Sequence, residues 1–121
     1  MSDMAIPGSA TILLADDEPS IRMLVEAALA AEGYRVLSAR NGYEALQVFD
    51  EREDDIDLVI ADMCMPYIGG SELIAALQAR RSTLRCLGIS AYAFDRDLDL
   101  PLLHKPFSRT ELLKSVHDAL S

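Results

Sequence analysis

Three consecutive acids, Asp16, Asp17 and Glu18, follow a short apolar run in the segment ILLADDEPS. A further carboxylate, Asp62, follows a second run, DLVIA. Carboxylates that converge at the tips of buried strands repel one another unless a cation offsets their charge. Oxygen ligands select a hard metal, and two carboxylates with a carbonyl and water molecules suit octahedral Mg²⁺.

Two further polar residues end apolar runs and complete a chemical set. Ser90 closes LRCLGIS, and Lys105 follows LPLLH. A lysine supplies a mobile positive charge that suits a phosphoryl oxygen, and a serine supplies a hydroxyl donor. A metal, a lysine and a hydroxyl are the groups that neutralise charge in phosphoryl transfer, in which a carboxylate can be the nucleophile.

The elements that must position these residues are apolar strand patterns alternating with helical ones. The predicted strands are Thr11 to Ala15, Tyr34 to Ala39, Asp57 to Ala61, Leu84 to Ser90 and Leu100 to Leu103. The first helix has Pro19 at its start, an apolar stripe at helical spacing and Gly33 at its end. The stripe comprises Ile21, Leu24, Val25, Ala28 and Leu29. Asn41 with Glu44, and Ser108 with Glu111, are predicted to cap two later helices.

This alternation predicts an α/β fold with a parallel sheet covered on both faces. Ligands bind such sheets at the carboxyl ends of the strands, which is where the acids, Ser90 and Lys105 fall. Glycine-rich phosphate loops of the GxGxxG or GxxxxGK[ST] kind are absent from the sequence, which weakens a nucleotide-binding interpretation.

Bulk properties exclude several classes of function. The 121 residues suit one domain, and the net charge of −9 disfavours direct binding to nucleic acid or to an anionic membrane. Residues 1–10 lack the pattern of a signal peptide and are predicted to be a flexible N-terminal arm. Cys64 and Cys86 have no disulfide-framework spacing, which favours a reducing, cytoplasmic location.

The motifs ADDE, DMCMP…GG, ISA and HKPF, in this order and at these strand ends, resemble the receiver domain of two-component response regulators. The resemblance covers about residues 11 to 120, nearly the whole chain, and we interpret residues 11–121 as a receiver domain. It implies a doubly wound five-stranded sheet in the order 2-1-3-4-5. It also implies an aspartyl-phosphate formed in a Mg²⁺-dependent reaction.

Residue by residue, the resemblance makes Asp62 the phosphoacceptor. Asp16 and Asp17 match the acidic pair that holds Mg²⁺, with Asp17 as the direct ligand and Asp16 acting mostly through water. The backbone carbonyl of Cys64 matches the third protein ligand.

The remaining matched positions concern the phosphoryl group. Ser90 matches the switch hydroxyl, Ala91 the small residue that leaves room for the phosphoryl group, and Lys105 the lysine that pairs with a phosphoryl oxygen. The bond between Lys105 and Pro106 matches one that the family holds cis.

One departure from the family concerns switching. The family's switch aromatic lies three residues before the lysine, a position that Leu102 occupies here. A flip of a tyrosine between buried and exposed positions cannot occur there. Tyr92, or else Phe94, is the candidate for an alternative switch aromatic.

A second departure concerns length. Only 14 residues, Ala91 to His104, separate Ser90 from Lys105. A parallel crossover usually needs about a dozen residues or more with a helix. We therefore predict that the family's fourth helix, between the fourth and fifth strands, is absent or reduced to one turn. In this shortening, with SAY followed closely by KPF, the chain resembles receivers attached to hybrid sensor histidine kinases.

The leading functional hypothesis is a signalling receiver that takes a phosphoryl group from a histidine kinase or a histidine phosphotransfer protein and acts on an output partner. It assists its own phosphorylation but turns over no independent substrate. Alternatives are a small Mg²⁺-dependent phosphatase, an interaction module with a vestigial site, and a flavin carrier. Cys64 stands where such a phosphatase carries its general acid, and no phosphate loop for a flavin follows the first strand.

Overall fold

The computed structural model describes residues 10–91 and 100–121 as alternating strands and helices. The strands are Thr11–Ala15 (β1), Arg35–Ala39 (β2), Leu58–Asp62 (β3), Arg85–Ser90 (β4) and Leu102–His104 (β5). The helices are Pro19–Ala31 (α1), Gly42–Arg52 (α2), Gly70–Arg80 (α3) and Arg109–Leu120 (α4), and a 3₁₀ turn, Glu53–Asp55, follows α2.

The strands form one parallel sheet in the order β2-β1-β3-β4-β5, which confirms the predicted doubly wound fold. Ala15 is in register with Ala61, and Asp62 with Ile89. The carboxyl ends of β1, β3 and β4 therefore lie side by side. β2 lies on one side of β1 and β3 lies on the other, so the strand order reverses between β1 and β3.

Two apolar layers cover the two faces of the sheet, because alternate residues of a strand point to opposite faces. Leu13 and Val59 lie in the layer that α2 and α3 cover. Ile12 and Ile60 lie in the layer that α1 and α4 cover. Every residue of β1 and β3 is buried, as expected for central strands of a doubly covered sheet.

The helix ends follow the predicted signals. Asn41 Oδ1 accepts a hydrogen bond from the Glu44 N–H at 2.8 Å, although the Glu44 carboxylate reaches back to the Arg40 N–H instead of the cap. Ser108 and Glu111 form the predicted reciprocal capping box. Gly33 has a φ of 93°, a left-handed conformation that ends α1 at little steric cost.

Some boundaries and one core assignment differ from the predictions. Leu24, predicted in the buried stripe of α1, is 57% exposed, and Val25 and Leu29 are the buried residues of this helix. β2 begins at Arg35, after Tyr34. β5 begins at Leu102 because Pro101 has no N–H for the ladder, although its carbonyl accepts from Gly88 at 2.9 Å.

Several predictions fall outside the described residues. The predicted loss of a helix between β4 and β5 depends on residues 92–99, which also include the candidate switch aromatics. The predicted N-terminal arm is described only at Ala10, which packs against the layer under α1 and α4. Within residues 10–91 and 100–121, no helix combines the length and apolarity needed to cross a membrane.

Candidate functional site

Three carboxylates meet at the carboxyl edge of the sheet. Asp16 and Asp17 follow β1, and Asp62 is the last residue of β3. One oxygen from each lies within 4.8 Å of the other two. Asp16 is 0% exposed and Asp62 is 4% exposed, whereas Asp17 faces solvent. The strand register therefore assembles the acidic cluster that the sequence predicted.

Asp16 has one satisfied and one unsatisfied carboxylate oxygen. Its Oδ1 accepts from the Glu18 N–H at 2.9 Å, while its buried Oδ2 has no hydrogen-bond partner among the described residues. Burial raises the pKa of Asp16 from 3.8 to about 6, and the charges of Asp62 and Asp17 add to this effect. The Glu18 N–H and the Lys105 ammonium act in the opposite direction.

The unsatisfied Asp16 oxygen bears on whether a metal ion fits between the three carboxylates. A buried carboxylate without a partner is costly. A cation shared with Asp17 and Asp62 would offset that cost. The donor set is entirely oxygen, which suits a hard divalent ion such as Mg²⁺ or Ca²⁺ rather than a thiolate-bound metal. The residues present therefore fit the magnesium ion that the resemblance implies.

Lys105 is the cation that the chain itself brings to the cluster. Its Nζ lies 3.4 Å from Asp62 Oδ2 and 3.7 Å from Glu18 Oε1. Burial works to lower the pKa of Lys105, but the carboxylates of Asp62, Asp16 and Glu18 outweigh it, so that this pKa lies above its ordinary value. The ammonium is therefore fully charged near neutral pH.

The loop after β3 holds Asp62 in place. Asp62 Oδ1 accepts from the Cys64 N–H at 3.1 Å, and the Met63 N–H donates to the Ile89 carbonyl at 2.9 Å. Gly70 begins α3 directly against this loop, and a Cβ there would lie 2.5 Å from the Asp62 carbonyl oxygen. The thiol-bearing side chain of Cys64 is exposed.

The remaining predicted site residues lie at the ends of β4 and β5. Ser90 is buried, Ala91 is exposed beside it, and the Ser90 carbonyl accepts from the Lys105 N–H at 2.7 Å. The peptide bond between Lys105 and Pro106 is cis. The structure thus brings Ser90, Ala91 and Lys105 to the edge that carries the three acids. Tyr92 lies outside the described residues.

Sequence reasoning missed two contributors to the site. The sequence places Glu18 only in an acidic run, and no pattern in it indicates that the Glu18 carboxylate lies near Lys105. Sequence reasoning also gave Arg22 no role. The Arg22 guanidinium donates to the Asp16 carbonyl oxygen at 2.7 Å and fastens the turn after β1 to α1.

Comparison with known proteins decides the family. Residues 12–117 match the family model described as the response regulator receiver domain. The chain belongs to this family. A receiver domain is the phosphoacceptor unit of two-component signalling systems, and both the sheet order and the acidic cluster agree with this assignment.

Curated relatives of this receiver domain include a sensor kinase and transcriptional regulators. The sensor kinase CckA of Brucella abortus is 34% identical over 122 residues, which cover 95% of this chain and 13% of that protein. The transcriptional regulatory protein CpxR of Escherichia coli is 34% identical over 115 residues, covering 90% of this chain and 48% of that protein. The chain thus spans half or less of these relatives.

Solved structures show the same fold. The receiver domain of the hybrid histidine kinase CckA is 33% identical with a TM-score of 0.83, covering 93% of this chain and 100% of that one. The response regulator TrrA of Thermotoga maritima, solved in complex with Mg(2+)-BeF, is 35% identical with a TM-score of 0.83 and the same coverage. The receiver domain is therefore similar to one found in a hybrid kinase.

Proposed function

We propose that Asp62 is the phosphoacceptor of this receiver domain and that its phosphoryl donor is a phosphohistidine on a histidine kinase or a histidine phosphotransfer protein. The observation that carries the proposal is the position of the Asp62 carboxylate, buried beside two further acids and 3.4 Å from the Lys105 ammonium. Of the three acids, Asp62 is the one in direct contact with the lysine that would meet a phosphoryl oxygen.

The transfer is a substitution at phosphorus. An Asp62 carboxylate oxygen attacks the phosphorus, a P–O bond forms, and the P–N bond to the donor imidazole breaks. The imidazole leaves with the electron pair of that bond as a neutral ring, because its other nitrogen carries a proton. Hydrolysis later returns the Asp62 carboxylate when water attacks the same phosphorus and releases inorganic phosphate.

Asp16, Asp17, Asp62 and the carbonyl of Cys64 are the groups that would hold Mg²⁺. When bound, this ion neutralises charge on the transferring phosphoryl group. The buried Asp16 carboxylate, with its unsatisfied oxygen, would also be neutralised by the bound ion. Asp17 faces solvent, so its carboxylate could bind the ion without any movement of the core.

Ser90, Ala91 and Lys105 would receive the phosphoryl oxygens. The Lys105 ammonium offers a point charge, the Ser90 hydroxyl offers a donor, and the small Ala91 side chain leaves space. The signal would be a rearrangement of Ser90 and the adjoining loop. Leu102 is not aromatic, so Tyr92 remains the proposed switch aromatic.

Further parts of the proposal concern the protein's setting. We expect a cytoplasmic domain that turns over no independent substrate and binds neither nucleic acid nor membrane directly. Residues 11–121 would form the domain. Its output partner would read the phosphorylated surface, and the similarity to CckA favours a place in a hybrid kinase pathway.

The deciding experiment is intact mass spectrometry after incubation with phosphoramidate, whose P–N bond matches that of phosphohistidine. We expect one phosphoryl adduct that requires both Mg²⁺ and Asp62, so that Asp62→Asn shows none. Asp54→Asn is the matched control, since exposed Asp54 lies in the 3₁₀ turn before β3, at the opposite end of the strand. An adduct that persists in Asp62→Asn would refute the assignment.

Turnover of glycerol 2-phosphate, whose alkoxide leaving group must be protonated, tests the phosphatase alternative on the same preparations. The receiver hypothesis expects no sustained release of inorganic phosphate, because the position two residues after Asp62 is Cys64 and carries no carboxylic acid to protonate a leaving group. Multiple turnovers that depend on Asp62 would overturn the expectation and favour the enzyme.

A further inference from the structure

Glu18 lies at the start of α1, but its side chain does not cap the helix. It is the N-cap residue of α1, yet its side chain accepts no capping hydrogen bond. Its backbone N–H is held by Asp16 Oδ1 at 2.9 Å, and its carboxylate extends to within 3.7 Å of the Lys105 ammonium. The Glu18 side chain therefore pairs with Lys105 and does not cap α1.

Lys105 is consequently shared between an inner and an outer carboxylate. Asp62, on the inner side, is nearly buried, whereas the side chain of Glu18 is 55% exposed at the mouth of the site. The lysine side chain between them is 20% exposed. A phosphoryl group on Asp62 would compete with Glu18 for the same Lys105 ammonium.

We propose that Glu18 is a positioning residue that holds Lys105 towards the mouth of the unphosphorylated site and must release it when a phosphoryl group arrives. This inference rests on the role proposed above for Lys105 as the phosphoryl partner. Glu18 thereby weakens the affinity of the site for the phosphoryl group. Because the pair is partly exposed, the effect is small, about two- to fivefold.

The first test is the equilibrium affinity for beryllium fluoride, a phosphoryl mimic, in the presence of Mg²⁺. Glu18→Gln removes the charge and keeps the size of the side chain, so we expect binding about two- to fivefold tighter than in the wild type. Adduct formation from phosphoramidate should accelerate in parallel. Glu51→Gln is the matched control, an exposed acid near the end of α2, and should leave the affinity unchanged.

The second variant separates pairing from charge. Glu18→Asp keeps the negative charge but shortens the reach, and an aspartate at an N-cap turns to the helix N–H groups. Pairing with Lys105 would then be lost, so Glu18→Asp should bind beryllium fluoride as tightly as Glu18→Gln. If Glu18→Asp instead matches the wild type while Glu18→Gln binds tighter, the negative charge alone acts and the positioning role is refuted.

The remaining outcomes are also decisive. Equal or weaker binding by Glu18→Gln contradicts the inference while leaving the proposed function intact, provided that the wild type binds beryllium fluoride and Asp62→Asn does not. If the wild type itself fails to bind beryllium fluoride with Mg²⁺ present, the proposed function fails, and the role of Glu18 falls with it.

Discussion

At the scale of one residue, Asp16 illustrates the electrostatic cost of burying a carboxylate in the site. Its carboxylate is fully buried, one oxygen lacks a partner, and its pKa is raised to about 6. Between pH 3.8 and about 6 the folded protein binds more protons at Asp16 than the unfolded chain does. The contribution of Asp16 to the free energy of unfolding therefore falls as the pH rises through this window.

Asp16→Asn removes this cost, so in metal-free buffer at pH 7.5 we expect the variant to be more stable than the wild type by about 1 to 3 kcal/mol. The difference should narrow below pH 6 and vanish near pH 4, where the wild-type carboxyl is protonated. Urea unfolding at several pH values, with chelator present, measures it. A stability difference that does not change with pH would contradict the assignment, and saturating Mg²⁺ should favour the wild type instead.

The location of a single residue could be predicted where its position along a strand determines it, and not where it depends on the direction of a side chain. The positions of Asp16, Asp17, Asp62, Ser90 and Lys105 could be predicted because each ends an apolar strand or lies within two residues of its end, and parallel strands bring those positions to one edge. The contact between Glu18 and Lys105 could not be predicted. It depends on the direction of the Glu18 side chain at the start of α1, which the sequence pattern does not determine.

At the scale of elements, the approach of α3 to β3 sets the position of Asp62, the proposed phosphoacceptor. Gly70 begins α3 so close to the loop after Asp62 that a Cβ would lie 2.5 Å from the Asp62 carbonyl oxygen and 2.7 Å from Met63 Cα. Both neighbours are backbone atoms and cannot turn aside. A side chain at this position must therefore push α3 away from the end of β3.

Gly70→Ala is accordingly expected to destabilise the fold by about 1 to 3 kcal/mol and to weaken metal binding, because the strain falls on the backbone of Asp62. Gly69→Ala is the neighbouring control, since a Cβ there meets no atom closer than 3.5 Å. Urea unfolding and Mg²⁺ titration of both variants measure the two effects. Equal losses in the two variants would show that the close approach is not the cause.

Helices and strands were predicted well where the spacing of apolar residues and the capping residues indicated the same bounds. They were predicted less well at the edge of the sheet. The end of β1 could be predicted correctly because an apolar run meets an acid there. β5 was placed two residues early, because LPLL reads as one apolar run although Pro101 cannot donate to the ladder. Leu24 was assigned to the core by spacing alone, and spacing does not tell how wide a face the neighbouring helix covers.

At the scale of the whole molecule, the net charge of −9 and the acidic cluster must be told apart. Any salt screens the general repulsion among surface acids, whereas a cation bound by Asp16, Asp17 and Asp62 also offsets the repulsion within this cluster. The two effects have different requirements. The first depends on ionic strength, and the second depends on the identity of the ion and on each of the three carboxylates.

We therefore expect Mg²⁺ to stabilise the protein more than NaCl of the same ionic strength. At a concentration ten times its dissociation constant, the gain is about 1.4 kcal/mol, or roughly 3 to 6 °C in the thermal midpoint. Calorimetry in matched solutions measures it, and Asp62→Asn should lose most of the difference between the two salts because it removes one ligand. An equal rise of the midpoint in both salts would mean that screening alone acts and that the cluster holds no ion.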